Sequence, residues 1–171
     1  MRSNWLPTVH LIAVGYLSSC RIRIPGKFFH RVNYTTEDDP IALAVGDSNG
    51  DGRQDLVVAG SSSHKLSVLF QDPANAGTFL PLTRIGVGSS QSGIAIGDLN
   101  HDGLPDIAVA VETRNLKILY QDPSGLPGTF SPPTNLRASA GVWSVAIGDL
   151  DGDGANDLAL IFTDDPQLAG Q

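Results

Sequence analysis

"AVGDSNGDGRQDLVVAG", residues 44–60, decides the fold. Asp47, Asn49, Asp51 and Asp55 stand at alternating positions of one short segment, with glycines between them and apolar runs on both sides. The pattern returns as "AIGDLNHDGLPDIAVAV" from Ala95 and as "AIGDLDGDGANDLALIF" from Ala146. Asp47, Asp98 and Asp149 are each 51 residues apart. Of the 18 acidic residues, ten lie in these three loops: Asp47, Asp51, Asp55, Asp98, Asp102, Asp106, Asp149, Asp151, Asp153 and Asp157. The acidity is local, which indicates a site rather than general solubility. A net charge of −7 argues against a nucleic-acid backbone as partner.

The period extends beyond the aspartates. "LSVLFQDP" (66–73) is answered by "LKILYQDP" (116–123), and "AGTFLP" (76–81) by "PGTFSP" (127–132). Phe79 and Phe130 each precede the next loop by 19 residues, and the same count back from Asp47 reaches Phe28. A strand over 28–34 is therefore expected as the tail of an earlier repeat, with repeats starting near 41, 92 and 143. Each repeat holds short β-branched runs bounded by Gly, Pro, Asp or Ser, with no sustained helical period. With 19 Gly and 11 Pro in 171 residues, long helices are not expected. Four strands in about 50 residues is the pattern of propeller blades, which bury their faces only by stacking. The fold class expected is all-β: a partial β-propeller of four-stranded antiparallel blades.

The loop falls between the first and second strands of each repeat. Hard cations such as calcium take several oxygen ligands, and alternate residues of a tight loop can supply them. The first loop offers Asp47, Asn49, Asp51, the Arg53 carbonyl and Asp55. The second offers Asp98, Asn100, Asp102, the Leu104 carbonyl and Asp106. The third offers Asp149, Asp151, Asp153, the Ala155 carbonyl and Asp157. Gly52, Gly103 and Gly154 permit the turn at the sixth position. Up to three Ca²⁺ ions are expected. The alternative is an acidic turn closed by Asx hydrogen bonds. An EF-hand is excluded, because its twelfth position needs Glu and here is Val58, Val109 or Leu160. The third loop carries four carboxylates where the others carry three and an Asn, so charge alone makes it the tightest site.

These loops, each followed by "DLVVA", "DIAVA" or "DLALI", resemble those of FG-GAP/VCBS repeat proteins, whose Asp-x-Asp-x-Asp-Gly-x-x-Asp loop is also found in integrin α-subunit propellers. The resemblance runs from about Phe28 to the C-terminus. It implies calcium in the loops and a β-propeller, commonly of seven blades. The Phe-Gly and Gly-Ala-Pro landmarks of the integrin version are absent, which places the chain nearer the bacterial VCBS form. Two full repeats and half of a third are too few to close a propeller, so the chain is expected to be a fragment or the start of a longer protein.

Residues 1–20, "MRSNWLPTVHLIAVGYLSSC", read as a signal peptide: one Arg, an apolar stretch too short to span a membrane, then small residues. "LSSC" (17–20) resembles a lipobox, which makes Cys20 a candidate lipidation site; a buried Cys near a strand start is the alternative. The repeat region follows over 21–171. Export, either secreted or lipid-anchored at the cell envelope, fits weak calcium sites filled by extracellular calcium. The Asn33-Tyr34-Thr35 sequon carries no weight alone, and the four histidines share no ligand spacing. "QDP" reads as a turn, and Trp143 as a core residue equivalent to Ile94.

Two functions follow. The first is a non-catalytic, calcium-stabilised propeller segment in adhesion, with a protein or carbohydrate partner or further blades of a longer chain. The second is the propeller part of a secreted hydrolase or lyase, or a truncated product without independent function. No phosphate loop, Gly-x-Ser-x-Gly elbow, His-Glu-x-x-His pair or Cys/His zinc set is present in the sequence, so the first is preferred and catalytic residues are not expected.

Overall fold

A computed structural model describes residues 12–14, 32–36, 39–111 and 114–163. Twelve strands make up the described structure, and no helix occurs among these residues. The first blade is β3 (Pro40–Gly46), β4 (Asp55–Gly60), β5 (Lys65–Leu69) and β6 (Thr83–Gly86), antiparallel and in chain order. The second repeats it with β7 (Gln91–Gly97), β8 (Asp106–Val111), β9 (Asn115–Leu119) and β10 (Thr134–Arg137). The third has β11 (Gly141–Gly148) and β12 (Asp157–Thr163), an antiparallel pair. This is the partial propeller that the 51-residue period predicts.

Sequence explains the order of strands within a blade. β4 and β8, "DLVVAG" and "DIAVAV", are buried at every position. A strand buried on both faces reads as a continuous apolar run, and these two lie inside their blades. β3 alternates half-buried Ala42 and Ala44 with exposed Leu43 and Val45. The core lies between blades. Val57, Ala59, Leu66 and Val68 of the first blade cluster with Ile94, Ile107 and Val109 of the second. Ala108, Ala110, Leu116 and Ile118 cluster in turn with Val142 and Val145 of the third. Each of these two clusters joins one blade to the next, as stacking repeats do.

Each first strand also carries a bulge. Pairing skips a residue between Pro40 and Ala42, between Gln91 and Gly93, and between Val142 and Ser144. The skipped residues are Ile41, Ser92 and Trp143, one repeat apart. This corrects the reading of Trp143 as core: its counterpart is Ser92, not Ile94, and at 56% exposure it lies on the surface. Val145 is the residue equivalent to Ile94, and both are buried.

The expected strand over 28–34 is described only from Val32, as β2 (Val32–Tyr34). It pairs in parallel with β1 (Ile12–Val14) rather than joining a described blade. Tyr34 reaches the first blade: its ring meets Phe79 edge-on at 5.2 Å, and its hydroxyl accepts from the Phe79 N–H at 3.2 Å. Cys20 and the rest of the expected signal segment, apart from Ile12–Val14, lie outside the described residues.

Candidate metal-binding loops

Each aspartate loop joins the first and second strands of its blade, as the sequence predicts. The chain turns through left-handed backbone at two points, the fourth and sixth loop positions. Gly50 and Gly52 have φ of 76° and 82°, and Gly152 and Gly154 have 84° and 88°. In the second loop the fourth position is His101, held at φ 61°, with Gly103 at 82°. A side chain in that region is costly, so the loop imposes the turn on His101.

The turn points the odd positions inward, and one hydrogen-bond scheme recurs. The first-position carboxylate accepts from the sixth-position N–H: Gly52 to Asp47 at 2.7 Å, Gly103 to Asp98 at 2.9 Å and Gly154 to Asp149 at 3.0 Å. The third-position oxygen accepts from the fifth-position N–H, at 3.0 Å for Asn49, 3.1 Å for Asn100 and 3.1 Å for Asp151. The fifth-position carboxylate accepts from the seventh-position N–H: Arg53 to Asp51 at 2.9 Å, Leu104 to Asp102 at 2.8 Å and Ala155 to Asp153 at 2.7 Å. Arg53 also forms an ion pair with Asp51 at 3.3 Å. The Asx bonds of the alternative reading are therefore present, and the same bonds gather the carboxylates.

In the third loop oxygens of Asp149, Asp151 and Asp153 lie within 4.8 Å of one another, and all three residues are exposed. Where Asn49 and Asn100 replace Asp151, the amide instead donates to the fifth-position carboxylate at 3.0 Å in each case. In the second loop Asp98 Oδ1 is buried and accepts no hydrogen bond. A buried carboxylate oxygen without a donor is costly, and it suits a cation.

The ninth-position aspartates do something the sequence did not reveal. Asp55 and Asp106 are fully buried at the start of β4 and β8. Asp55 Oδ2 accepts from the Ser48 N–H at 2.9 Å and the Ser48 hydroxyl at 2.8 Å, and its Oδ1 from the Gln71 N–H at 2.8 Å. Asp106 accepts from Leu99 N–H at 2.9 Å and Gln121 N–H at 3.0 Å. Asp157 accepts from Leu150 N–H at 3.0 Å. In the first two loops the ninth carboxylate thus ties the loop's second residue to the end of the third strand, in addition to standing near the turn.

Neighbouring blades hold the loops from outside. Gln121 Nε2 of the second blade donates to the Asn49 carbonyl at 3.0 Å, and Asn156 Nδ2 of the third to the Asp98 carbonyl at 2.9 Å. "QDP" is a turn, as expected: Asp72 and Asp122 each accept from the N–H two residues on, at 2.8 and 2.9 Å. In the second blade its glutamine, Gln121, also clamps the preceding loop, a role the sequence does not show.

Burial pushes the Asp106 carboxyl up from the ordinary value; the Leu99 and Gln121 N–H groups pull it back, and Asp102 and Asp98 add to the rise. The folded chain therefore holds this proton more tightly than the unfolded chain does. Stability from Asp106 is full below the ordinary carboxylate pKa and is lost as pH rises through the raised one. Asp72 and Asp122 run the other way, held down first by side-chain bonds from Asn75 and Ser124. A difference measurement cancels them. In chelator, the unfolding free energy of wild type minus that of Asp106→Asn should be larger in acid and fall as pH rises toward neutrality. A difference that grows with pH would contradict the assignment.

A family model described as FG-GAP-like repeat matches residues 47–109 and 98–160. The two matches overlap by about one loop and one strand, so they place two consecutive repeats in the register set by Asp47, Asp98 and Asp149. No curated protein matches the chain.

Proposed function

The chain belongs to the FG-GAP-like repeat family, and from that premise we propose that it is a non-catalytic, calcium-ordered propeller segment. The observation that carries the proposal is the gathering of Asp149, Asp151 and Asp153 oxygens within 4.8 Å, in a loop whose hydrogen-bond scheme recurs at Asp47 and Asp98. The donor set is all oxygen, as calcium prefers. In each loop the first, third, fifth and ninth side chains and the seventh carbonyl would hold the ion: Asp47, Asn49, Asp51, Arg53 and Asp55, then their counterparts at 98–106 and 149–157. Bound calcium would supply charge neutralisation and a fixed loop shape. The carboxylates are repeated rather than unique, which fits ion binding better than catalysis. Such a segment presents rigid loops to a protein or carbohydrate partner in adhesion. We also propose export, secreted or lipid-anchored at the cell envelope through Cys20, where calcium is plentiful.

The test is calorimetric titration of calcium into wild type and into Asp51→Ala, Asp102→Ala and Asp153→Ala singly. The third loop carries one more carboxylate than the others, so attraction for the ion and repulsion in its absence both favour filling it. The tightest phase should weaken at least tenfold with Asp153→Ala and stay unchanged with the other two. Absence of any calcium heat in wild type would refute the calcium reading; loss of the tightest phase with Asp51→Ala or Asp102→Ala would show that support from the next blade, not charge, sets the order.

A further inference from the structure

Successive aspartate loops abut, and the eighth residue of the later loop faces the earlier one. In the third loop that residue is Asn156, whose Nδ2 donates to the Asp98 carbonyl at 2.9 Å. In the second loop it is Pro105. A Cβ placed on Gly50 of the first loop would stand 3.8 Å from Pro105 Cδ and 3.7 Å from Leu104 Cδ2. Proline has no side-chain donor, and here Gln121 supplies one: its Nε2 donates to the Asn49 carbonyl at 3.0 Å. Gln121 is 4% exposed, so close packing holds the amide in place.

These contacts join ligand-bearing backbone to ligand-bearing backbone. Pro105 and Asn156 each lie between the seventh and ninth positions of their loops, where the proposed ligands sit on both sides of them. Gln121 is tied to a ninth position as well, since its N–H donates to Asp106 at 3.0 Å. At the other end the contacts fall on Asn49, the third position of the first loop, and on Asp98, the first position of the second. An ion in the later loop fixes its seventh and ninth positions, and with them Pro105 and Gln121, or Asn156. These in turn hold the earlier loop before its own ion arrives. That ion then has less chain to order, so it binds more tightly.

We propose that the cation sites are coupled, the filling of one loop tightening the next, through Gln121 between the first and second loops and through Asn156 between the second and third. The inference rests on the calcium reading above and adds that the sites do not fill independently. Gln121 and Asn156 are positioning residues, and neither supplies a ligand. Linkage makes the coupling reciprocal, although each contact reaches from the later loop to the earlier. Each link is one neutral hydrogen bond, so the expected coupling is about fivefold, at the low end for coupled sites. Charge works the other way, because an ion in one loop weakens the negative field at the next. At physiological salt, exposed charges are screened beyond about 8 Å, so the coupling is measured there.

The test is a calorimetric cycle of calcium titrations on the full chain. Asp102→Ala with Asp153→Ala leaves the first loop alone, Asp51→Ala with Asp153→Ala leaves the second alone, and Asp153→Ala by itself leaves both. The constant for filling both loops, divided by the product of the two single-loop constants, is the coupling factor. It should be about five, and it should fall to unity when Gln121→Met is added to all three chains. A merely structural loss would lower the single-loop constants and leave the factor unchanged. The same cycle on the second and third loops, with Asp51→Ala throughout and Asn156→Ala as the added change, tests the other link, and it decides the matter if Gln121→Met fails to fold. Absence of calcium binding in wild type would overturn the calcium reading and this proposal with it. Two loops that fill with a factor of unity while Gln121 and Asn156 are native would overturn the coupling alone and leave the calcium reading standing. A factor that survives both Gln121→Met and Asn156→Ala would overturn the assigned route.

Discussion

Asp55→Ala should cost about 4 kcal/mol of folding stability in chelator, where no ion contributes. The reasoning is local. Its carboxylate is fully buried and accepts two backbone N–H groups, from Ser48 and Gln71, as well as the Ser48 hydroxyl. Alanine leaves the buried Ser48 N–H and the half-buried Gln71 N–H without an acceptor, at roughly 1–3 kcal/mol each. The hydroxyl can turn to another acceptor; the backbone cannot. Asp106→Ala should behave alike, since Leu99 and Gln121 stand in the same relation to it. Against a typical total of about 5–15 kcal/mol, such a loss leaves little margin. Asp153→Ala, at an exposed carboxylate, should change stability by less than about 0.5 kcal/mol under the same conditions. Asp55→Asn should recover part of the loss, because an amide keeps one acceptor oxygen. Urea midpoints for the four variants at constant slope decide the matter. Equal small losses for Asp55→Ala and Asp153→Ala would mean that the ninth carboxylate is only a loop residue.

That division of labour within one loop marks where the sequence is legible. Period, blade boundaries, strand order and the position of the loops all follow from recurrence at 51 residues, because recurrence is a property of the string itself. The gathering of Asp149, Asp151 and Asp153 follows from alternation around glycines. What eluded sequence reasoning depends on contacts distant along the chain. Asp55 reads as one more loop carboxylate until Gln71 is seen donating to it across the blade. A cue existed: "DLVVAG" begins with a charge yet is apolar throughout afterwards, so an aspartate opening a wholly buried strand needs donors of its own. Gln121 and Asn156 hold loops 72 and 58 residues away, and only the stacking of blades brings them there. The core reading of Trp143 fails for a simpler reason: it matches Trp143 to Ile94, while counting 51 residues back reaches Ser92, at a bulge that points residues out of the regular alternation.

The second large effect should be calcium itself. With every loop filled at 100 times its dissociation constant, each site would add about 2.7 kcal/mol, or roughly 8 kcal/mol for three. For a chain of this size that corresponds to a rise in melting temperature of roughly 15–30 °C. The argument rests on charge that folding brings together. Two carboxylates 4 Å apart repel by about 1 kcal/mol in water and more where solvent is excluded, and in the third loop three sets of oxygens stand within 4.8 Å. In the second loop the repulsion is joined by the buried, donorless Oδ1 of Asp98. The unfolded chain suffers neither, so an ion that relieves both binds the folded state selectively. Because the first two loops are clamped by the blade that follows, through Gln121 and Asn156, ordering a loop should also firm the contact between blades. Calcium should therefore sharpen the transition as well as shift it. Melting curves in excess calcium and in chelator, at equal ionic strength, provide the measurement, with magnesium at the same concentration as the control for unspecific screening. Superimposable curves would show that Asx hydrogen bonds alone close these loops, and that their carboxylates tolerate one another without an ion.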